Sequence, residues 1–401
     1  MSPGAGSGMK AAVTMLVFCV GALLALGMVM LYSAGMARVG AGYLMMQFVW
    51  GVLGLAACVV ATLFDYRRLR PWCWVLLGVG VIMLIAVLAC PKVNGARRWF
   101  SMGRMHFQPS EYAKIALIMA LACYGERFQR QMPTFVRGLV LPGLLIGLVV
   151  GLIGIEPDVG NALVLCAVSA VLLLVAGVRL SYFLPPVLAG MVGVGVFLYF
   201  NLRGLEAKHE RGERGAMRSE RIYSWLHLEE TRRDKGLQAY EAMIALGSGG
   251  LTGKGLGDGR QKLGFVPEHH TDFIFSVIGE ELGLIATLLV VLAFVGVIFC
   301  GVHISWNASD TFGMLLGAGI TFLIGLQAFI NIGVVTSALP NKGLPLPFIS
   351  YGGSNLLMML TSVGVLLSIA RHARESNSVL ANVLARSEAG NPFARSSQPH
   401  A

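Results

Sequence analysis

Residues 262–283 read KLGFVPEHHTDFIFSVIGEELG, and this stretch decides the fold. It opens as a polar loop with one proline and two adjacent histidines. Within a few residues it becomes an apolar run that continues to about Cys300. Asp272 is the last polar residue before that run, and Glu280 and Glu281 lie inside it. An apolar segment of this length matches the roughly 30 Å hydrocarbon core of a bilayer. Ionisable groups at the edge of hydrocarbon or within it are costly and mark function.

Similar runs recur on both sides. The 401 residues are 56% hydrophobic and only 13% charged, where a soluble domain carries about 25% charged residues. The predicted fold class is therefore an all-α polytopic membrane protein. Ten spans are expected, near 11–34, 44–64, 71–90, 111–124, 139–155, 161–178, 182–201, 273–301, 311–334 and 353–371. The fourth is the weakest, short and bounded by Glu111 and Arg127. Residues 1–10 form a short N-terminal segment, and Lys10 precedes a run long enough to stay as an anchor. Residues 372–401, rich in Ser, Asn, Arg and Gly, are expected to be a disordered tail.

The net charge of +10 would suit a nucleic-acid partner in a soluble chain. In a polytopic one, short cytoplasmic loops collect Lys and Arg, and no nucleic acid is expected. Basic loops at 65–70 and 126–137 and the basic tail fall on one side of a ten-span arrangement. Both termini are therefore expected in the cytoplasm, with one large extracytoplasmic loop at about 202–272. Residues 91–110 hold Lys92, Arg97, Arg98 and Arg104 on the outer side, against that rule. An anionic ligand on the outer face would account for them. Within the large loop, 238–250 has apolar residues at helical spacing followed by glycines, and reads as an amphipathic or re-entrant helix. The seven cysteines lie in or beside apolar runs without a CxxC pair and read as small core residues.

Four polar clusters fall on the predicted outer side: 95–114 (GARRWFSMGRMHFQPSEYAK), 156–161 (EPDVGN), the opening stretch, and 339–354 (LPNKGLPLPFISYGGS). The last breaks any helix with its prolines and glycines. Irregular backbone at membrane depth survives only where protein buries it or it lines a cavity. Four such clusters on one face predict one polar cavity opening outward.

The combination of GARRW, QPSE, EPD, PEHHTDFIF and LPNKGLPLPFISYGGS resembles the SEDS family (shape, elongation, division and sporulation) over nearly the whole chain. The lysine in PNKG is more like the division members than the rod-elongation members. His269 stands where relatives carry a small residue, and Gly264 where some carry an acid. The resemblance implies polymerisation of peptidoglycan glycan strands from lipid II in the bacterial cytoplasmic (inner) membrane, at the septum. It also implies a class B penicillin-binding protein as partner, alongside other division or elongation proteins. Two other classes stay open: a lipid II flippase and a structural scaffold of the division complex. A flippase needs polar groups through the bilayer, whereas the inner loops here offer only short arginine runs.

Glycan polymerisation requires a base for the attacking sugar hydroxyl and cations for the departing lipid diphosphate. Asp272 matches the family's essential aspartate and is the candidate base; capping the following helix is its alternative role. Arg98 matches the arginine of the family's Gly-x-x-Arg-Trp. Lys114 and Lys342 are further candidate substrate contacts. Lys114 could instead pair with Glu111 three residues earlier, and Lys342 could snorkel to the interface. Glu280, roughly 12 Å deeper than Asp272 on a continuous helix, could line the site or hydrogen-bond a neighbouring helix. Glu111, Ser354 and His270 complete the substrate-binding candidates. His269 and His270 do not share a helical face, so no protein-held metal is expected. A divalent cation could still arrive with the lipid pyrophosphate.

Overall fold

The computed structural model describes residues 5–35, 42–92, 96–103, 105–185, 188, 223–229, 231, 236–259 and 271–389. Among the described residues the fold is carried by α1 (Ala5–Gly35), α2 (Gly42–Leu63), α3 (Cys73–Val87), α4 (Pro109–Arg127), α5 (Leu141–Ile155), α6 (Val159–Val175), α7 (Leu237–Ser248), α8 (Ile274–Trp306), α9 (Thr311–Val335) and α10 (Gly353–Ala389). A two-stranded antiparallel hairpin, β1 (Phe100–Met102) and β2 (Met105–Phe107), precedes α4. Seven described helical segments are long and apolar enough to cross a membrane. Large apolar side chains such as Phe18, Phe48, Ile82, Leu144 and Phe299 stand exposed on the bundle surface, as lipid contact requires. The chain is a multi-pass membrane protein. Of the predicted span 182–201, only 182–185 and 188 fall within the described residues.

α4 explains why its sequence signal is weak. It packs against α3, α5, α6, α9 and α10, and nearly all of it is buried. A helix shielded from lipid on all sides can carry Ser110, Glu111 and Lys114, provided each finds a partner. Around it, α2 lies along α10, and α8 lies between α1 and α9.

Residues 273–301 were expected to form one continuous span, but α8 breaks at Gly283, whose φ of 77° and ψ of −172° are non-helical. Only glycine fits there: a Cβ would lie 2.3 Å from the Gly253 nitrogen and 2.5 Å from the Leu251 oxygen. The broken helix exchanges backbone bonds with the glycine-rich segment after α7. Leu284 and Ile285 donate to the carbonyls of Gly250 (2.9 Å) and Leu251 (3.3 Å). In return, Lys254 and Gly255 donate to those of Glu280 and Glu281, both at 3.0 Å. These four bonds give backbone groups at the break partners outside the helix, which is what tolerance of irregular chain at this depth demands. α7 is the helix expected at 238–250, and it packs on α8 through the small buried face of Ala239, Ala242 and Ala245.

The last helix also departs from expectation. It runs on to Ala389, into the segment read as a disordered tail. Val379, Leu380, Val383 and Leu384 continue a helical spacing there, and no proline or glycine interrupts it before Gly390.

The connections fall at two ends. At one end Arg70 donates to Glu126 (2.6 Å) and Asp310 (2.8 Å), and Tyr66 bonds Asp310. Asp310 also caps α9 by accepting from the Gly313 amide. This joins the α2–α3, α4–α5 and α8–α9 connections. At the opposite end lie the hairpin, the α5–α6 turn, α7, Asp272 and the α9–α10 loop.

Candidate functional site

All four polar clusters meet at that second end through direct contacts. Gln108 Nε2 donates to Asp158 Oδ2 at 2.7 Å, joining the first cluster to the second. A Cβ on Gly160 would touch Leu344 at 3.1 Å, so the second cluster packs on the fourth. Ser350 Oγ donates to the Thr271 carbonyl at 2.6 Å, joining the fourth to the opening stretch.

The α9–α10 loop is held from several sides. On α2, Gln47 donates to the Ser350 carbonyl and accepts from the Gly352 amide. Gly27 of α1 lets the loop come close, since a Cβ there would stand 2.8 Å from the Ile349 Cα. Phe348, buried at the loop's centre, has a φ of 67°, a conformation that bulky residues rarely adopt and that surrounding structure must enforce.

Asp272 lies against this loop. A Cβ on Gly343 would be 2.6 Å from Asp272 Oδ2, so the carboxylate sits over the residue that follows Lys342. The capping position of α8 is Phe273, which offers no side-chain acceptor, and Asp272 stands one residue outside it. Asn331 of α9 fixes both partners: its Nδ2 donates to the Asp272 carbonyl at 2.8 Å and the Leu344 carbonyl at 2.6 Å. Lys342 is half-buried, with no hydrogen bond or ion pair to a described residue. Burial lowers its pKa from the usual lysine value, as expected of an ammonium removed from water without a counter-charge.

Lys114 is wholly buried and fully engaged. Its three N–H groups reach Glu111 Oε1 (2.9 Å), Asn161 Oδ1 (3.0 Å) and Gln327 Oε1 (3.2 Å). Glu111 Oε2 accepts from Asn355 at 2.8 Å, immediately after the buried Ser354. Gln327 in turn donates to the Pro345 carbonyl at 3.0 Å. This geometry gives Lys114 and Glu111 protein partners from four helices. They tie α4, α6, α9 and α10 to the loop that carries Lys342.

Glu280 also has a protein partner, the ammonium of Lys254 at 2.8 Å. Its neighbour Glu281 accepts from Ser33 Oγ at 2.9 and 2.7 Å and from the Gly257 amide at 3.1 Å. Both carboxylates thus fasten the glycine-rich segment to the broken helix. Arg97 donates to the Leu88 carbonyl at 3.0 Å. Arg98 has a buried Nε without a hydrogen-bond partner, as have both carboxyl oxygens of Glu156 nearby. His270 lies outside the described residues. Among the described residues no group of three His, Cys, Asp or Glu side chains is placed to hold a metal.

The family model of FtsW/RodA/SpoVE cell cycle proteins matches residues 13–375. The chain belongs to this family. A protein of Geobacter metallireducens named "Probable peptidoglycan glycosyltransferase FtsW" is 38% identical over 360 residues, covering 87% of this chain and 92% of that one. Stage V sporulation protein E of Bacillus subtilis is 36% identical over 367 residues, covering 88% and 95%. Among solved structures, a chain from a study of "polymerization and crosslinking by a peptidoglycan synthase complex" superposes with a TM-score of 0.74 at 29% identity, covering 89% of this chain and 97% of that one. The rod shape determining protein RodA of Thermus thermophilus gives a TM-score of 0.64 at 29% identity, covering 89% and 96%. The matched residues of the FtsW/RodA/SpoVE family model include all four polar clusters.

Two residues of the site escape a reading of the sequence. Asn331 and Gln327 lie four residues apart in an apolar helix, so they share a face; that pairing is the available signal. Glu156 is visible only as a member of the second polar cluster, with no role of its own.

Proposed function

We propose that this protein is a peptidoglycan glycosyltransferase that polymerises lipid II on the outer face of the bacterial cytoplasmic membrane during septal wall synthesis. The observation that carries the reading is the placement of the Asp272 carboxylate over Gly343, the residue after Lys342, whose half-buried ammonium has no ion-pair partner among the described residues. The reaction needs a base and a cation at one site. The 4-hydroxyl of one sugar attacks the anomeric carbon of another, and Asp272 takes the hydroxyl proton. The bond from that carbon to the diphosphate oxygen breaks, and the lipid diphosphate departs with the electron pair. Lys342 and Arg98 offset its charge. Asn331 and the Glu111–Lys114 pair hold the loops that carry these groups in register.

Any divalent cation would travel with the diphosphate, and no step assigned to the protein depends on it. The partner is a class B penicillin-binding protein, whose transpeptidase would crosslink the strands made here. Both termini lie in the cytoplasm. Incubation of the purified protein and that partner with lipid II tests the reading: glycan strands are the expected product. Translocation of lipid II across vesicles without polymerisation would replace it with a flippase.

A further inference from the structure

Glu156 sits in the three-residue turn between α5 and α6 and is wholly buried, yet neither carboxyl oxygen has a hydrogen-bond partner. Native structures seldom leave a buried polar group so, and each case calls for an explanation. The guanidinium of Arg98 is near enough for its charge to act on Glu156, and its buried Nε is also unpartnered. Two complementary groups thus lie within electrostatic reach of each other, and Arg98 Nε and both Glu156 carboxyl oxygens lack a hydrogen-bond partner.

The neighbouring carboxylate behaves differently. Asp158 accepts from the Asn161 amide (3.2 Å), the Asn161 side chain (2.9 Å) and Gln108 (2.7 Å). The two acids of one turn are therefore differentiated: one has three donors, the other none.

We infer that Glu156 and Arg98 form a subsite for a phosphoryl oxygen of the lipid-linked diphosphate, with Glu156 donating its carboxyl O–H and Arg98 its N–H. This rests on the reading of this end of the bundle as a diphosphate site, and it assigns that site a proton. A carboxylic acid can donate to a phosphate only while it is neutral. Burial first, and the charge of Asp158 second, raise the Glu156 pKa to about 8, with Arg98 opposing them. Asp158 from its own turn and Arg98 from the segment before β1 are the charged groups that act on it. The donor form therefore prevails at neutral pH. Above about pH 8 the free protein loses that proton, and binding must recover it.

The experiment uses the full chain in detergent with undecaprenyl diphosphate as probe. Calorimetric titrations run from pH 6.5 to 9 in buffers of different ionisation enthalpy. The parent is expected to hold its affinity to about pH 8 and then lose about tenfold per pH unit, with proton uptake approaching one per ligand. Glu156→Gln keeps an N–H donor but cannot titrate, so that uptake should vanish. Lys342 titrates in both proteins, and the difference between them isolates Glu156. Glu156→Leu should bind at least tenfold more weakly at pH 7. Equal proton uptake in the parent and Glu156→Gln, or parental affinity in Glu156→Leu, overturns the inference while leaving the diphosphate site standing. Failure of the parent to bind the probe at any pH overturns both.

Discussion

The side chain of Asn331 donates a 2.8 Å hydrogen bond to the backbone carbonyl of Asp272. Its second bond, 2.6 Å to Leu344, reaches the loop that carries Lys342. One amide thereby sets the separation between the proposed base and the proposed phosphate cation. Replacing it with Ala leaves two carbonyls without their donor, at a cost of about 1–3 kcal/mol each if they stay dry. Asn331→Ala is expected to melt at a lower temperature and to lose more in kcat than in KM. Steady-state kinetics and thermal melting of the variant measure both.

The Lys114–Glu111 pair is expected to behave as a buried strut. Removing one charge strands the other, and such single losses cost about 3–5 kcal/mol. Lys114→Met and Glu111→Gln should each destabilise strongly, while the double variant should recover much of the loss. A double-mutant cycle read by denaturation measures the coupling, which would be near zero if Lys114 served a ligand alone.

The cations that face the leaving group are expected to act through substrate use and not through folding. Arg98→Ala and Lys342→Ala each remove a charge-assisted contact worth about 1.5–3 kcal/mol, roughly tenfold to more than a hundredfold in kcat/KM. Lys342 has no described ion-pair partner to strand, so its variant should keep the parental melting temperature. Polymerisation assays beside melting curves separate the two effects.

Topology offers an independent check. The short basic loops predict that 201–272 faces outward. A cysteine at Ser219 should react with a membrane-impermeant thiol reagent added to intact cells from outside. Labelling only from the cytoplasmic side would reverse the orientation.

Much of this was legible in the sequence, and the reasons for the rest are physical. Apolar runs of bilayer length disclosed the helices that face lipid. α4 gave a faint signal because its neighbours shield it from lipid, so its composition need not be apolar. The break at Gly283 was hidden because the glycine-rich segment that repairs it lies some thirty residues earlier in the chain. The four clusters were recognisable by residue type, and their convergence followed from topology. Which of their charged residues remain open to a ligand was not legible. Lys114 and Lys342 look equivalent in the sequence, yet one has three partners and the other has none among the described residues. Glu156 and Asp158 differ in the same way, through donors supplied by Gln108 and Asn161.

The central claim is that Asp272 takes the proton of the attacking hydroxyl. Asp272→Asn preserves size, and the helix cap falls at Phe273, so the variant should insert, melt and bind its partner as the parent does. The decisive measurement is its rate of glycan-strand formation from lipid II with the partner present. A fall of about 10²–10⁴-fold is expected for loss of a general base; a rate equal to that of the parent would contradict the account.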